Sequence, residues 1–140
     1  MNLFAGEYNR FVMQFVNHPI LRDKLKNMAK MNKTFHNNLE ERWNQFSLAE
    51  QMANIGAEIG RTINWRKKGN SAMSTNAFYR ALELLDFTIG DKKNKNSLKE
   101  ILRVREVLAD FFMGDNLYKS SDKLWEKYFF FFNLAARKNN

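Results

Sequence analysis

The chain has 140 residues, a formal net charge of +8 and 44% hydrophobic residues, enough for one substantial core and one domain with an appendage. It holds no cysteine, one proline and six glycines. That excludes a disulfide framework or a thiolate site, and it leaves too few breakers for a many-turned β-sandwich, so an all-α protein of a reducing compartment, the cytoplasm by default, is expected.

Residues 3–16 place Phe4, Tyr8, Phe11, Val12 and Phe15 at three- and four-residue spacings, an aromatic stripe on one helical face. Glu7 and Arg10 interrupt this run and no small-residue cleavage site follows, so it does not read as an export signal. Pro19 suits the first turn of a second helix, where its missing N–H is unpaired anyway, and Ile20, Leu21, Leu25, Met28 and Met31 give that helix a face opposite a lysine-rich one. Residues 32–46 read as a linker.

Ser47-Leu-Ala-Glu50 is a capping box in which each end of the motif satisfies an amide of the other. Behind it, Leu48, Met52, Ile55, Ile59 and Ile63 form a ridge, and Ala49, Ala53, Gly56 and Gly60 form a small-residue strip that lets another helix approach closely. The run closes near Gly69. A helix over about 75–89 follows, with Ala77, Phe78, Ala81, Leu82, Leu85 and Ile89 apolar; it is paired with the preceding helix, and Gly90 is placed at a left-handed C-cap. Ser97-Leu-Lys-Glu100 is a second capping box, opening a helix with Ile101, Leu102, Val104, Leu108, Phe111 and Phe112 apolar and Gly114 as terminator. Ser120 or Ser121 caps a last helix through Trp125 and Tyr128 to about residue 136. Short connections make neighbours antiparallel. The expectation is an up-down four-helix bundle over 47–136 in a domain of residues 47–140, with two additional helices in an N-terminal extension of residues 1–46. The most apolar stretch, 128–136, is far short of the roughly 20 residues a membrane-spanning helix needs, so no membrane partner is expected.

Alternating directions bring Lys92, Lys93 and Lys95 to the same pole as Arg137 and Lys138. Arg66, Lys67 and Lys68 gather at the other pole beside Lys119 and Lys123, with Trp65 adjacent. Such poles can neutralise phosphates while the indole stacks on a base. Solvated lysines and helix-dipole complementation explain them as well. Four consecutive aromatics, Phe129, Phe130, Phe131 and Phe132, cannot all hide in one core-facing stripe, because helical residues step by about 100°. The remainder needs a cover: the N-terminal stripe, a second subunit or a partner protein.

Catalytic and metal chemistry finds little footing. Glu58, Arg61, Arg80, Glu83, Asp86, Arg103, Arg105 and Asp110 lie inside predicted helices, where ion pairs account for most of them. There are no Glu-x-x-His pairs of the di-iron type, both histidines, His18 and His36, precede the bundle, and no Gly-x-Ser-x-Gly elbow occurs. Residues 110–116 lack the spacing and final glutamate of a calcium loop. No cofactor and no catalytic residue is expected.

The segments MANIGAEIGRTINWRKKGN, AFYRALELLDFTI, LKEILRVREVLADFFMGDN and YFFFFNLAARK resemble a family of short, functionally uncharacterised helical proteins of bacteria and archaea, over residues 47–137. The order of long helix, basic turn and alanine-rich helix is also similar to the HEPN superfamily of helical bundles, which includes ribonuclease toxins and partners of nucleotidyltransferases. The active members carry an arginine followed by a histidine four to six residues later. Here no histidine follows residue 36, and Arg10 is too far from His18, so the likeness implies an inactive or binding member. The expectation is a non-catalytic protein-interaction module, binding a protein partner or itself. The alternative is RNA binding at the basic poles, with an atypical HEPN-like ribonuclease or toxin-antitoxin component as its enzymatic form.

Overall fold

The computed structural model describes residues 40–138, and those residues are helical with no strand. The N-terminal stripe, the helix after Pro19 and the linker up to residue 39 lie outside the described residues. The elements are α1 (Glu40–Trp43), α2 (Leu48–Lys67), α3 (Ser71–Gly90), a 3-10 turn (Lys92–Ser97), α4 (Leu98–Met113) and α5 (Asp122–Lys138).

Local chemistry sets these boundaries. The Ser47 hydroxyl accepts from the Glu50 amide and the Glu50 carboxylate accepts from the Ser47 amide, both at 3.2 Å, so the first capping box is complete. Gly69 turns the chain out of α2 at φ +78°, which a side chain rarely tolerates. Asn70 then caps α3 by accepting from the Met73 amide at 3.1 Å, which starts that helix at Ser71 rather than near residue 75.

The second capping box does not form. Ser97 ends the 3-10 turn and makes no side-chain cap bond. Asp91 governs this corner instead, its carboxylate accepting from the Lys93 amide at 3.2 Å. Gly90 stays helical with no left-handed turn, since the chain leaves α3 through extended Asp91. At the other corner the buried Asp110 carboxylate accepts from the amides of Leu117 (2.9 Å) and Tyr118 (3.1 Å), pinning the loop that leads to α5. Of the two candidate caps for α5, Ser121 serves: its hydroxyl accepts from the Leu124 amide at 3.2 Å.

The helix α2 packs against both α3 and α5, and α3 also packs against α4. Antiparallel register follows from side chains: Ser74 donates to the Thr62 carbonyl at 2.9 Å and Arg80 to Glu58 at 3.3 Å between α2 and α3. Phe78 meets Phe112 at 5.0 Å and Arg105 meets Asp86 at 2.7 Å between α3 and α4. The core is built from Met52, Ile55, Ile59 and Ile63 of α2, with Phe78, Leu82, Leu85, Ile101, Val104, Leu108, Trp125 and Phe129. Trp43, which precedes the first capping box, belongs to it too, its indole N–H donating to Thr88 at 3.0 Å. In the small-residue strip of α2, Gly56 is where α5 approaches closely: a Cβ there would stand 2.7 Å from the Cβ of Phe129.

Candidate interaction surface

The face of α5 divides the aromatic run as 100° steps require. Phe129 is buried against α2, Phe132 is half-buried against the core, and Phe130 and Phe131 remain 55% and 59% exposed. Leu134, one turn after Phe130, and Leu124 are exposed as well, which extends the apolar stripe along the helix. On the inner side, Tyr128 sits edge-on to Trp125 (5.7 Å), Phe129 (5.2 Å) and Phe132 (5.3 Å), so this part of the helix is a stiff aromatic stack. Among the described residues, the Tyr128 hydroxyl and the Trp125 indole N–H are buried without a hydrogen-bond partner. Burial, and secondarily the Glu100 carboxylate, push the Tyr128 hydroxyl far above the usual phenol range, so it stays neutral.

A groove of about 170 Å³ runs between α2 and α5, walled by Ile59, Ile63, Trp125, Phe129 and Phe130. Gly60 leaves it open: a Cβ there would meet nothing within 4 Å, whereas Gly56, one turn earlier, is sealed by Phe129. Sequence reasoning identified the phenylalanines but not the groove beside them. Its one signal was the pair Gly56 and Gly60, whose cost inside a helix calls for a packing reason.

Of the basic residues at the two poles, Arg66, Lys67, Lys68 and Lys93 are engaged. Arg66 is paired with Asp122 and its guanidinium lies 5.0 Å above both Phe111 and Phe112. Lys67 is 3.9 Å from Glu126, and the Lys68 ammonium stands 5.2 Å over the half-buried Trp65 ring. In the turn between α3 and α4, Lys93 is tied to Asp91 and to the Asn44 carbonyl, while Lys92 and Lys95 are exposed. Arg137 and Lys138 are exposed in the last turn of α5.

The turn between α3 and α4 carries a buried polar network which the sequence did not announce. Gln51 donates to the Trp43 carbonyl (3.0 Å) and to Asp91 (2.9 Å), and Asn94 donates to Gln51 (2.8 Å) and to the Thr88 carbonyl (3.0 Å). Burial raises the Asp91 pKa, but the bonds from Lys93 and Gln51 outweigh it and hold the carboxyl below its ordinary value. Every contact closes within the chain, so the network fastens α1 to α2 and α3 and offers no open position to a ligand.

A second cleft, about 320 Å³, lies where Thr62, Ser74, Phe78, Tyr79 and Phe112 surround Arg66. Its hydroxyls are partly spent on backbone, Thr62 on the Glu58 carbonyl and Ser74 on the Thr62 carbonyl, and among the described residues no carboxylate or histidine lines it. Elsewhere, Glu58 bridges Arg61 (2.9 Å) and Arg80 (3.3 Å), an ordinary helix-surface ion pair extended to α3. Among the described residues there is no group of three histidines, cysteines or carboxylates able to hold a metal, and no helix long and apolar enough to cross a membrane.

The described residues form an all-helical protein with an exposed apolar stripe on α5. No family model, curated protein or solved structure matches the chain.

Proposed function

We propose that this chain is a non-catalytic cytoplasmic protein whose residues 47–136 act as an up-down four-helix bundle, and that it works as a protein-interaction module through the outer face of α5. One observation carries the reading: Phe130 and Phe131 stand more than half exposed beside an apolar groove. Rings held in solvent on a helix whose inner side is a rigid aromatic stack are placed to cover a partner's apolar helix rather than to complete this chain's own core. The partner is a protein segment with an apolar helical face, a second copy of this chain included.

Nucleic-acid binding is the weaker reading. Arg66, Lys67 and Lys93 already face Asp122, Glu126 and Asp91, and Lys68 covers one side of Trp65, so phosphate binding at these four cations competes with contacts inside the chain, which leaves Lys92, Lys95, Arg137 and Lys138 as the exposed cations outside those contacts.

Sedimentation velocity from micromolar to near-millimolar protein tests the proposal. Association is expected to rise with concentration and to vanish in the Phe130→Glu, Phe131→Glu chain. A wild-type chain that neither self-associates nor binds any apolar helical peptide overturns it.

A further inference from the structure

The geometry points to residues 3–16 of this same chain as the occupant of the groove between α2 and α5, so that the protein covers its own docking face until a partner displaces the segment. The inference rests on the reading of α5 as a helix-docking surface and adds how access to that surface is regulated.

The groove has the size of one aromatic ring. At about 170 Å³ it is close to the roughly 150 Å³ of a dry apolar cavity that takes up a benzene. The open position over Gly60 lets a ring, or the backbone behind it, come down between Ile63 and Phe130. An occupant that fits this shape presents aromatic side chains at helical spacing.

Two properties of the surface decide between occupants. The exposed parts of Leu124, Phe130, Phe131 and Leu134 amount to an area on the order of 400 Å², about half of the roughly 800 Å² per partner that a stable dimer buries. The net charge of +8 further opposes pairing between two identical chains. A tethered segment escapes both limits, because its effective concentration is set by its linker and reaches the millimolar range without a large interface.

Residues 3–16 have the required pattern. Phe4, Tyr8, Phe11 and Phe15 recur at three- and four-residue intervals, and Glu7 and Arg10 leave the segment without net charge. The tether reaches. Trp43 anchors the chain where α2 begins, through its bond to Thr88 and the one its carbonyl accepts from Gln51. From Ser47 to Gly60 is about 20 Å along α2, whereas the 23 residues 17–39 span about 35 Å even when fully helical. The same contact made between two copies at high protein concentration gives an exchanged dimer, which joins the self-association proposed above to this groove.

The chain contains no cysteine, so introduced pairs report only their own contact. In the full-length protein, Asn133→Cys at the groove rim is combined in turn with Ala5→Cys, Asn9→Cys and Met13→Cys. In dilute solution, mild oxidation is expected to close an intrachain disulfide in at least one pair, with a yield about tenfold or more above that of the same pair carrying Phe11→Asp and Phe15→Asp. The two aspartates are also expected to lower self-association, because the exchanged dimer is made by the same contact. Absence of an intrachain disulfide in all three pairs overturns the inference. If Phe130→Glu, Phe131→Glu still abolishes association in that case, the docking reading stands and only the occupant is wrong. Disulfides that form solely between chains assign the groove to a second copy and overturn the inference likewise. If no disulfide and no association occur, both fall.

Discussion

Gly56 and Gly60 lie one turn apart on α2, and the same substitution is expected to change stability in opposite directions at the two. Replacing either by alanine removes the backbone freedom that makes glycine about 1 kcal/mol worse than alanine inside a helix. At Gly60 that gain stands, because the new methyl meets nothing within 4 Å and only narrows the groove. At Gly56 the methyl would sit 2.7 Å from the Cβ and 2.9 Å from the Cγ of Phe129. A Cβ is fixed to its backbone, so no rotamer change relieves the contact, and α5 must withdraw by about 0.7 Å to reach ordinary contact at 3.4 Å. That movement loosens Phe129 and Trp125, both buried in the core, and overpacking of this kind costs about 1 to 3 kcal/mol. Gly56→Ala is therefore expected to destabilise by about 1 kcal/mol and Gly60→Ala to stabilise by about 1 kcal/mol, a difference of about 2 kcal/mol. Urea unfolding followed by helical circular dichroism resolves this as midpoints separated by about 1 M. Equal shifts, or a stabilising Gly56→Ala, would show that α5 is not seated on Gly56.

Three further outcomes follow from groups inside the fold. Asp91 has a folded pKa below its ordinary value, so its contribution is present above about pH 4 and is lost as the pH falls below that; Asp91→Asn is expected to lower the urea midpoint at neutral pH by a margin that shrinks as the pH is lowered below about 4, and a margin independent of pH would refute the role of the charge. Asp110→Ala removes the acceptor of two backbone amides, at a cost of about 2 to 3 kcal/mol, and hydrogen exchange is expected to speed up at Leu117 and Tyr118 before it does in α2. Tyr128→Phe deletes a buried hydroxyl that has no partner among the described residues and is expected to be neutral or stabilising by up to about 1 kcal/mol, as read by the thermal midpoint; a clear loss would reveal a buried water bound there.

The sequence was most legible where one residue decides a local geometry. Ser47 with Glu50 marks the start of α2 because the two side chains and two amides close on each other without help from the rest of the fold. Ser97 with Glu100 carries the same four-residue pattern and does not close, because Asn94 is drawn inward by Gln51 and the Thr88 carbonyl and the chain around it winds into a 3-10 turn. Of the two competing contacts the one to Gln51 comes from 43 positions away, which a four-residue motif cannot register. Gly90 fails for a related reason: Asp91 and its long-range bond to Gln51 end α3 in extended geometry, so no left-handed residue is needed.

The surface follows the same division. Helical spacing alone said that the four phenylalanines could not share one side, and the structure places Phe130 and Phe131 outside. Spacing could not say what lies next to them, since the groove arises where α5 meets α2 tightly at Gly56 and leaves Gly60 uncovered. Charge was legible in number and not in availability. Nothing in the run Arg66-Lys67-Lys68 shows that Asp122 and Glu126, more than fifty residues later, would be brought against it, yet the antiparallel packing of α5 on α2 does so. The packing that compensates these cations also holds α5 against α2, and the apolar face is its other consequence: with Trp125 and Phe129 committed inward, the 100° step leaves Phe130 and Phe131 no inward position to take.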